Sequence, residues 1–156
     1  MVIQRWQSVL LLISSVMMIL FSSLSLGQIS LPNMELNFSA LGYYIEGIAT
    51  GGSQSGWYLQ TWPLLTLSVL CSVIPLINIF LFKNFKLQKT LCVVDALFLL
   101  ALIIVSIIYG YYTIDGFSVS WSYVAFAPFI AGVADFMAYK RIQSDYNKIR
   151  SIDRIR

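Results

Sequence analysis

The chain has 156 residues, of which 58% are hydrophobic and 11% charged, with a net charge of +3 and no histidine. Soluble domains carry about a quarter charged residues, and a soluble fold this short has too little interior to hide so much apolar surface. An ordinary soluble domain is excluded, and the lack of histidine removes the commonest general base and metal ligand.

Four apolar runs, each of about 18 residues or more and nearly free of charge, read as transmembrane helices. The sequence therefore predicts an all-α membrane protein. Its single domain is a four-helix transmembrane bundle, with a small antiparallel β-sheet formed by the outer loops. Every Lys and Arg falls at a helix end expected to face the cytoplasm, which is the positive-inside pattern and argues against nucleic acid as the partner.

The first helix is expected at about 8–26, after Arg5. The run is longer than most signal-peptide cores, and S-L-S-L-G after it is a poor cleavage site, so it is expected to be retained. Ser8, Ser15 and Ser22 recur at seven-residue spacing, a stripe of small residues suited to helix packing in lipid. The outer loop 27–62 has no Lys or Arg and two acids, Glu35 and Glu46. Alternation in M-E-L-N-F, Y-Y-I-E-G-I and G-W-Y-L-Q-T-W predicts short strands broken by Pro32, Gly42 and T-G-G-S-Q-S-G. Trp57, Tyr58 and Trp62 fit an interfacial aromatic belt. Asn37-Phe38-Ser39 matches a glycosylation acceptor, a pattern too common to carry weight.

Pro63 opens the second helix, 63–82, and Pro75 is expected to kink it. A basic inner loop, 83–89, precedes the third helix, 90–109. A second outer loop, 110–121, adds one or two strands, with Asp115-Gly116 as its turn. The fourth helix, 122–139, contains Pro128 and an alanine seam of Ala127, Ala131, Ala134 and Ala138. Nothing between Ala138 and Ile142 would stop it from running on into the cytoplasmic tail, 140–156. Cys71 and Cys92 lie at different depths, so no disulfide is expected.

Asn78, Asp95 and Asp135 each lie about five or six residues from a cytoplasmic helix end, roughly 7–9 Å inside the boundary at the helical rise. They are expected to meet in one polar layer between helices two, three and four. Carboxylates buried in lipid are costly and normally face the bundle interior or a watery cavity. The structural reading pairs them with Lys or Arg reaching up from the edge; the functional reading is a proton or cation site. An aspartyl intramembrane protease also uses two acids, but V-V-D-A and G-V-A-D lack its glycine-flanked motif. No metal cluster, phosphate loop or nucleophile–base pair is visible, so neither a cofactor nor an enzymatic activity is expected.

The tail holds six of the ten Lys and Arg residues. If helical, it sets Ile142, Tyr146 and Ile149 on one side, with Arg141–Asp145 and Asp145–Lys148 as intrahelical pairs. Lys140, Arg141, Asp145, Lys148, Arg150, Asp153, Arg154 and Arg156 form a candidate surface for anionic headgroups, or for a protein partner, since charge alone would not require S-I-D-R-I-R in that order.

Three segments carry a family resemblance: I-Q-R-x-Q-S followed by leucines from Ile3 to Leu12, K-N-x-K-L-Q from Lys83 to Gln88, and I-x-x-D-x-x-x-I-R-S-x-D-R-I-R from Ile142 to Arg156. The sequence resembles the bacterial membrane family known as domain of unknown function family 4293. The resemblance implies a four-helix protein of the bacterial cytoplasmic (inner) membrane and implies no activity. Tyr146-Asn147 replaces a more charged pair of the family pattern. The layout is also similar to that of claudin-like tetraspan proteins, without their loop cysteine pair or W-G-L-W motif. Both termini are expected inside. The leading expectation is a non-enzymatic accessory or assembly subunit with a protein partner or a homo-oligomeric state. The alternative is a small transporter or channel component using Asp95 and Asp135.

Overall fold

The computed structural model describes all residues except 1, 32–33, 47, 50–51, 54–55, 82–83, 113–118 and 154–156. Four helices dominate it: α1 (Val2–Ser23), α2 (Trp62–Phe80), α3 (Phe85–Tyr112) and α4 (Ala127–Asp153). They pack in a ring, α1 against α2, α2 against α3, α3 against α4 and α4 back against α1. Three of them, over Trp6–Ser23, Trp62–Phe80 and Phe85–Tyr111, are long and apolar enough to cross a membrane. In α4 the apolar stretch ends sooner, at Lys140 and Arg141.

Each helix buries residues at alternating spacings of three and four. On α1 these are Gln7, Leu11, Ser14, Met18 and Phe21; on α2, Leu64, Ser68, Cys71, Pro75 and Asn78. On α3 they are Gln88, Cys92, Asp95, Leu99, Leu102 and Ser106, and on α4 Ala127, Ala131, Ala134, Ala138 and Ile142. A repeat averaging 3.5 keeps one stripe on the bundle axis, the packing of left-handed helix bundles. The alanine seam of α4 is therefore internal. Of the three serines spaced by seven, only Ser15 is buried, and its hydroxyl donates to the Ser72 carbonyl at 2.9 Å. α2 continues through Pro75, which is buried within it.

Several boundaries differ from expectation. α3 begins at Phe85 and absorbs most of the basic loop, because K-L-Q-K has good helix formers and no breaker. α4 begins at Ala127, not near Ser122. A short 3-10 helix, Tyr123–Phe126, precedes it and leaves Pro128 in the first turn, where its missing N–H costs nothing. α4 then runs unbroken to Asp153. Its 27 residues make a rod of about 40 Å, longer than the ~30 Å hydrocarbon core of a bilayer.

The loops build a five-stranded antiparallel sheet in the order β6-β3-β2-β1-β7. Its strands are β1 (Ser25–Leu31), β2 (Met34–Ser39), β3 (Gly42–Glu46), β6 (Gly56–Gln60) and β7 (Ser120–Trp121). Between β3 and β6, β4 (Ile48–Ala49) and β5 (Gly52–Ser53) pair as a separate two-stranded ribbon. Residues turn inward from each strand: Leu36 and Phe38 alternate on β2, Tyr43 comes from β3, and Ile29 and Leu26 come from β1, whose register is irregular between Ser25 and Gly27. They join Met18, Phe21, Leu64, Leu99 and Leu102 in one core, so the sheet caps the bundle. Tyr43 donates to the Tyr109 carbonyl at 2.6 Å, and Thr61 to the Ala40 carbonyl at 3.0 Å. The turn expected at Asp115-Gly116 lies outside the described residues.

Glycine is required where the two layers touch. A Cβ on Gly110 of α3 would enter the indole of Trp121, the ring that ties β7 to Phe38 and Tyr111. Gly110→Ala is expected to cost about 1–3 kcal/mol through overpacking, seen as a lower melting midpoint and a shifted tryptophan emission. An unchanged midpoint would mean that Trp121 gives way freely.

Candidate functional site

The interior changes character along the bundle axis. Toward the sheet it is mainly apolar, with Thr61, Ser68 and Ser106 as buried hydroxyls. Toward the end that carries Lys86, Lys89, Lys140 and Arg141 (the basic end) it becomes polar. The buried face of α3 records the change: Gln88, Cys92 and Asp95 come first, then Leu99 and Leu102.

Asp95 and Asp135 are 1% and 2% exposed. Helices α3 and α4 bring their carboxyls within hydrogen-bonding reach of each other, with the Ser14 hydroxyl of α1 beside Asp135. As carboxylates they are acceptors only, and none of their four oxygens has a formed hydrogen bond with a described residue; nor does Ser14 Oγ. Among the described residues, Cys71 of α2 and Cys92 of α3 lie near enough to feel the charge of the pair, and both thiols are free and buried.

Asn78 does not join the acids. Its Nδ2 donates to the Gln88 carbonyl and to Cys92 Sγ, each at 3.2 Å, while Gln88 Nε2 donates back to the Asn78 carbonyl at 3.1 Å. This reciprocal clasp ties the end of α2 to the start of α3. It sits nearer the basic end than Asp95, since Cys92 lies one helical turn before that residue. Asn78 Oδ1 and Gln88 Oε1 are themselves buried without partners among the described residues. Gln88 and Ser14 are the site residues that sequence reasoning missed. Gln88 was detectable seven residues before Asp95, on the same helix face. Ser14 was hidden by the more regular stripe of Ser15.

The described basic side chains do not reach the acids. Lys89 donates to Gln143 and lies over the Tyr146 ring, 5.0 Å from its centroid. Lys140 lies over Phe136 at 4.6 Å. The expected pairing of Asp95 and Asp135 with edge lysines is therefore replaced by cation–π and amide contacts, which leave those ammonium groups in water.

The tail helix is held by the bundle. Ile142 is buried beside Leu11, Cys92 and Ala138. Gln7 of α1 donates to Asp145. The Asp145–Lys148 pair is present at 4.0 Å, whereas Arg141 forms no ion pair with Asp145 among the described residues. Arg141 and Arg150 are exposed and Lys148 is largely so; the Asp153 side chain, Arg154 and Arg156 lie outside the described set. At the sheet end, Trp57, Tyr58 and Trp62 are exposed, and the strand register sets Glu35 opposite Glu46. Among the described residues there is no group of three or more acids, cysteines or histidines placed to hold a metal.

No curated protein matches the chain. The sequence profile described as Domain of unknown function (DUF4293) matches residues 3–155, nearly the full length, and the protein belongs to that family.

Proposed function

We propose that this is a multi-pass protein of the bacterial cytoplasmic membrane with both termini inside, and that it serves as a non-enzymatic accessory or assembly subunit of a membrane complex. The outward faces of all four helices are apolar, including Phe129, Ile130, Val133, Phe136 and Met137 of α4. That supports α4 as the fourth span. Exposed Trp57, Tyr58, Trp62 and Tyr123 at the sheet end suit an interfacial belt, and the lysines at the other end suit the cytoplasmic face.

The observation that carries the accessory reading is the apolar packing between the acid pair and the sheet. Met18, Leu64, Leu99, Leu102 and Phe21 fill that space, so the described interior offers no continuous polar path. A single copy is thus poorly suited to conduct solutes. The exposed bases Arg141, Lys148 and Arg150 fit anionic headgroups or an acidic protein partner.

Affinity purification from native membranes in mild detergent tests this. The expected result is a stoichiometric protein partner; recovery of the chain alone overturns it. Ile142, Gln143 and Asp145 pack internally, so an order-shuffled tail of equal charge should be confined to residues 147–156. Loss of the partner from that variant is expected, and undiminished capture would leave lipid as the tail's only contact. A second reading, a transporter or channel component using Asp95 and Asp135, is favoured by their unpartnered carboxyl oxygens. Recovery of a homo-oligomer would support it.

A further inference from the structure

We propose that Asp95, Asp135 and Ser14 form a binding site for a single small monovalent cation, a proton or Na⁺, filled from the basic end of the bundle. The proposal deepens the second reading above and rests on the membrane placement.

The first argument is charge. Two carboxyls stand within reach of one another in an interior that excludes water. Among the described residues, the other groups packed around them are neutral. α1 brings Ser14, α2 brings Cys71 and α3 brings Cys92. Lys89 and Lys140 are turned elsewhere. Two like charges buried together without a counter-charge cost several kcal/mol each in desolvation. One proton or monovalent cation between them removes the repulsion and leaves a single negative charge shared by the pair.

The second argument is the donor set. Four carboxyl oxygens and the Ser14 hydroxyl, which is itself fully buried and unpartnered, converge from three helices. An all-oxygen set suits a proton or a hard cation, not a soft metal. A proton would give one carboxyl an O–H to donate to the other. Na⁺ would take oxygens from both carboxyls and from Ser14.

The third argument is access. From the sheet side the pair is closed by Met18, Leu99 and Leu102, with Phe38 and Tyr43 above them. At the basic end Leu11, Ala138 and Ile142 cover the α1–α4 side, while the α2–α3 seam carries the Asn78–Gln88 clasp with two amide oxygens unpartnered among the described residues, the polar groups nearest the pair on that side. Entry from one side only distinguishes a loading site from a pore.

The test uses the full chain in lipid nanodiscs and in oriented proteoliposomes, read by infrared difference spectroscopy of the carboxyl C=O stretch. At neutral pH in potassium buffer, a protonated-carboxyl band is expected from the wild type. It should vanish in Asp95→Asn/Asp135→Asn. Loss of the band on raising pH, with no response to sodium, assigns the ligand as a proton. Loss on replacing potassium by sodium at constant pH assigns it as Na⁺. In oriented vesicles, a pH or sodium jump at the basic end should change the band, and one at the sheet end should not. Gln88→Leu should slow that change about tenfold.

Circular dichroism and gel filtration establish that each variant is folded; the single Asn variants serve if the double one is not. A band that neither titrates nor responds to sodium, or that persists without both carboxyls, overturns the proposal. So does an equal response from both sides. A protein that inserts normally but shows no response fails this proposal alone, whereas failure to extract it from membranes fails the placement.

Discussion

Phe38→Ala is expected to destabilise the protein by about 3–5 kcal/mol, the usual cost of emptying a buried phenylalanine site. Phe38 is fully buried where sheet and bundle meet. It stacks on Tyr43 with ring centroids 4.7 Å apart and meets Trp121 edge-on at 6.1 Å. Tyr43 is in turn anchored to the Tyr109 carbonyl. Removing the ring leaves a void that three elements line, and rigid helices cannot collapse into it. Thermal unfolding in detergent micelles, followed by near-ultraviolet circular dichroism, should show a lower midpoint and early loss of the tryptophan signal. A drop below about 1 kcal/mol would place this variant among ordinary surface substitutions, and would mean that the sheet is held by its backbone pairing and not by this cluster.

The second large expectation has the opposite sign. At a pH where both carboxyls are ionised, Asp95→Asn/Asp135→Asn should stabilise the fold by about 1–4 kcal/mol, the range seen when buried ion pairs give way to well-packed apolar residues of similar volume. Asn has the same size as Asp, but it both donates and accepts, so two facing amides can satisfy each other where two carboxylates cannot. A gain of this size corresponds to about 2–4 °C per kcal/mol in a chain of this length. Stability surrendered at one buried site is the usual signature of a group kept for what it does. A loss of stability would instead mark the carboxyls as structural, and would remove this reason for assigning them a role.

Much of the architecture was legible because it depends on patterns local in sequence. Four apolar runs, a loop of alternating residues with Gly and Pro breaks, and bases gathered at one end all follow from burial and solvation taken a few residues at a time. The boundaries moved where a neighbouring layer competed. Ser122 donates its backbone N–H to Leu26 at 2.8 Å, and Gly27 pairs with Trp121. Sheet pairing thus claims Ser122, which the sequence alone assigned to α4. The strand order β6-β3-β2-β1-β7 brings the last strand beside the first, and no local pattern encodes that.

The candidate site divides the same way. Sequence placed Asn78, Asp95 and Asp135 near the basic end, because depth along a helix grows by a constant rise per residue, although Asn78 sits with Gln88 and Cys92, about a turn closer to that end than Asp95. Which of them meet was decided by the tertiary structure alone. Each helix is turned about its own axis by the packing of its neighbours, and a rotation of one residue moves a side chain by about 100° around the helix. That rotation sends Asn78 to Gln88 and Cys92, turns Lys89 and Lys140 away to aromatic rings, and leaves Asp95 and Asp135 facing each other without a counter-charge among the described residues.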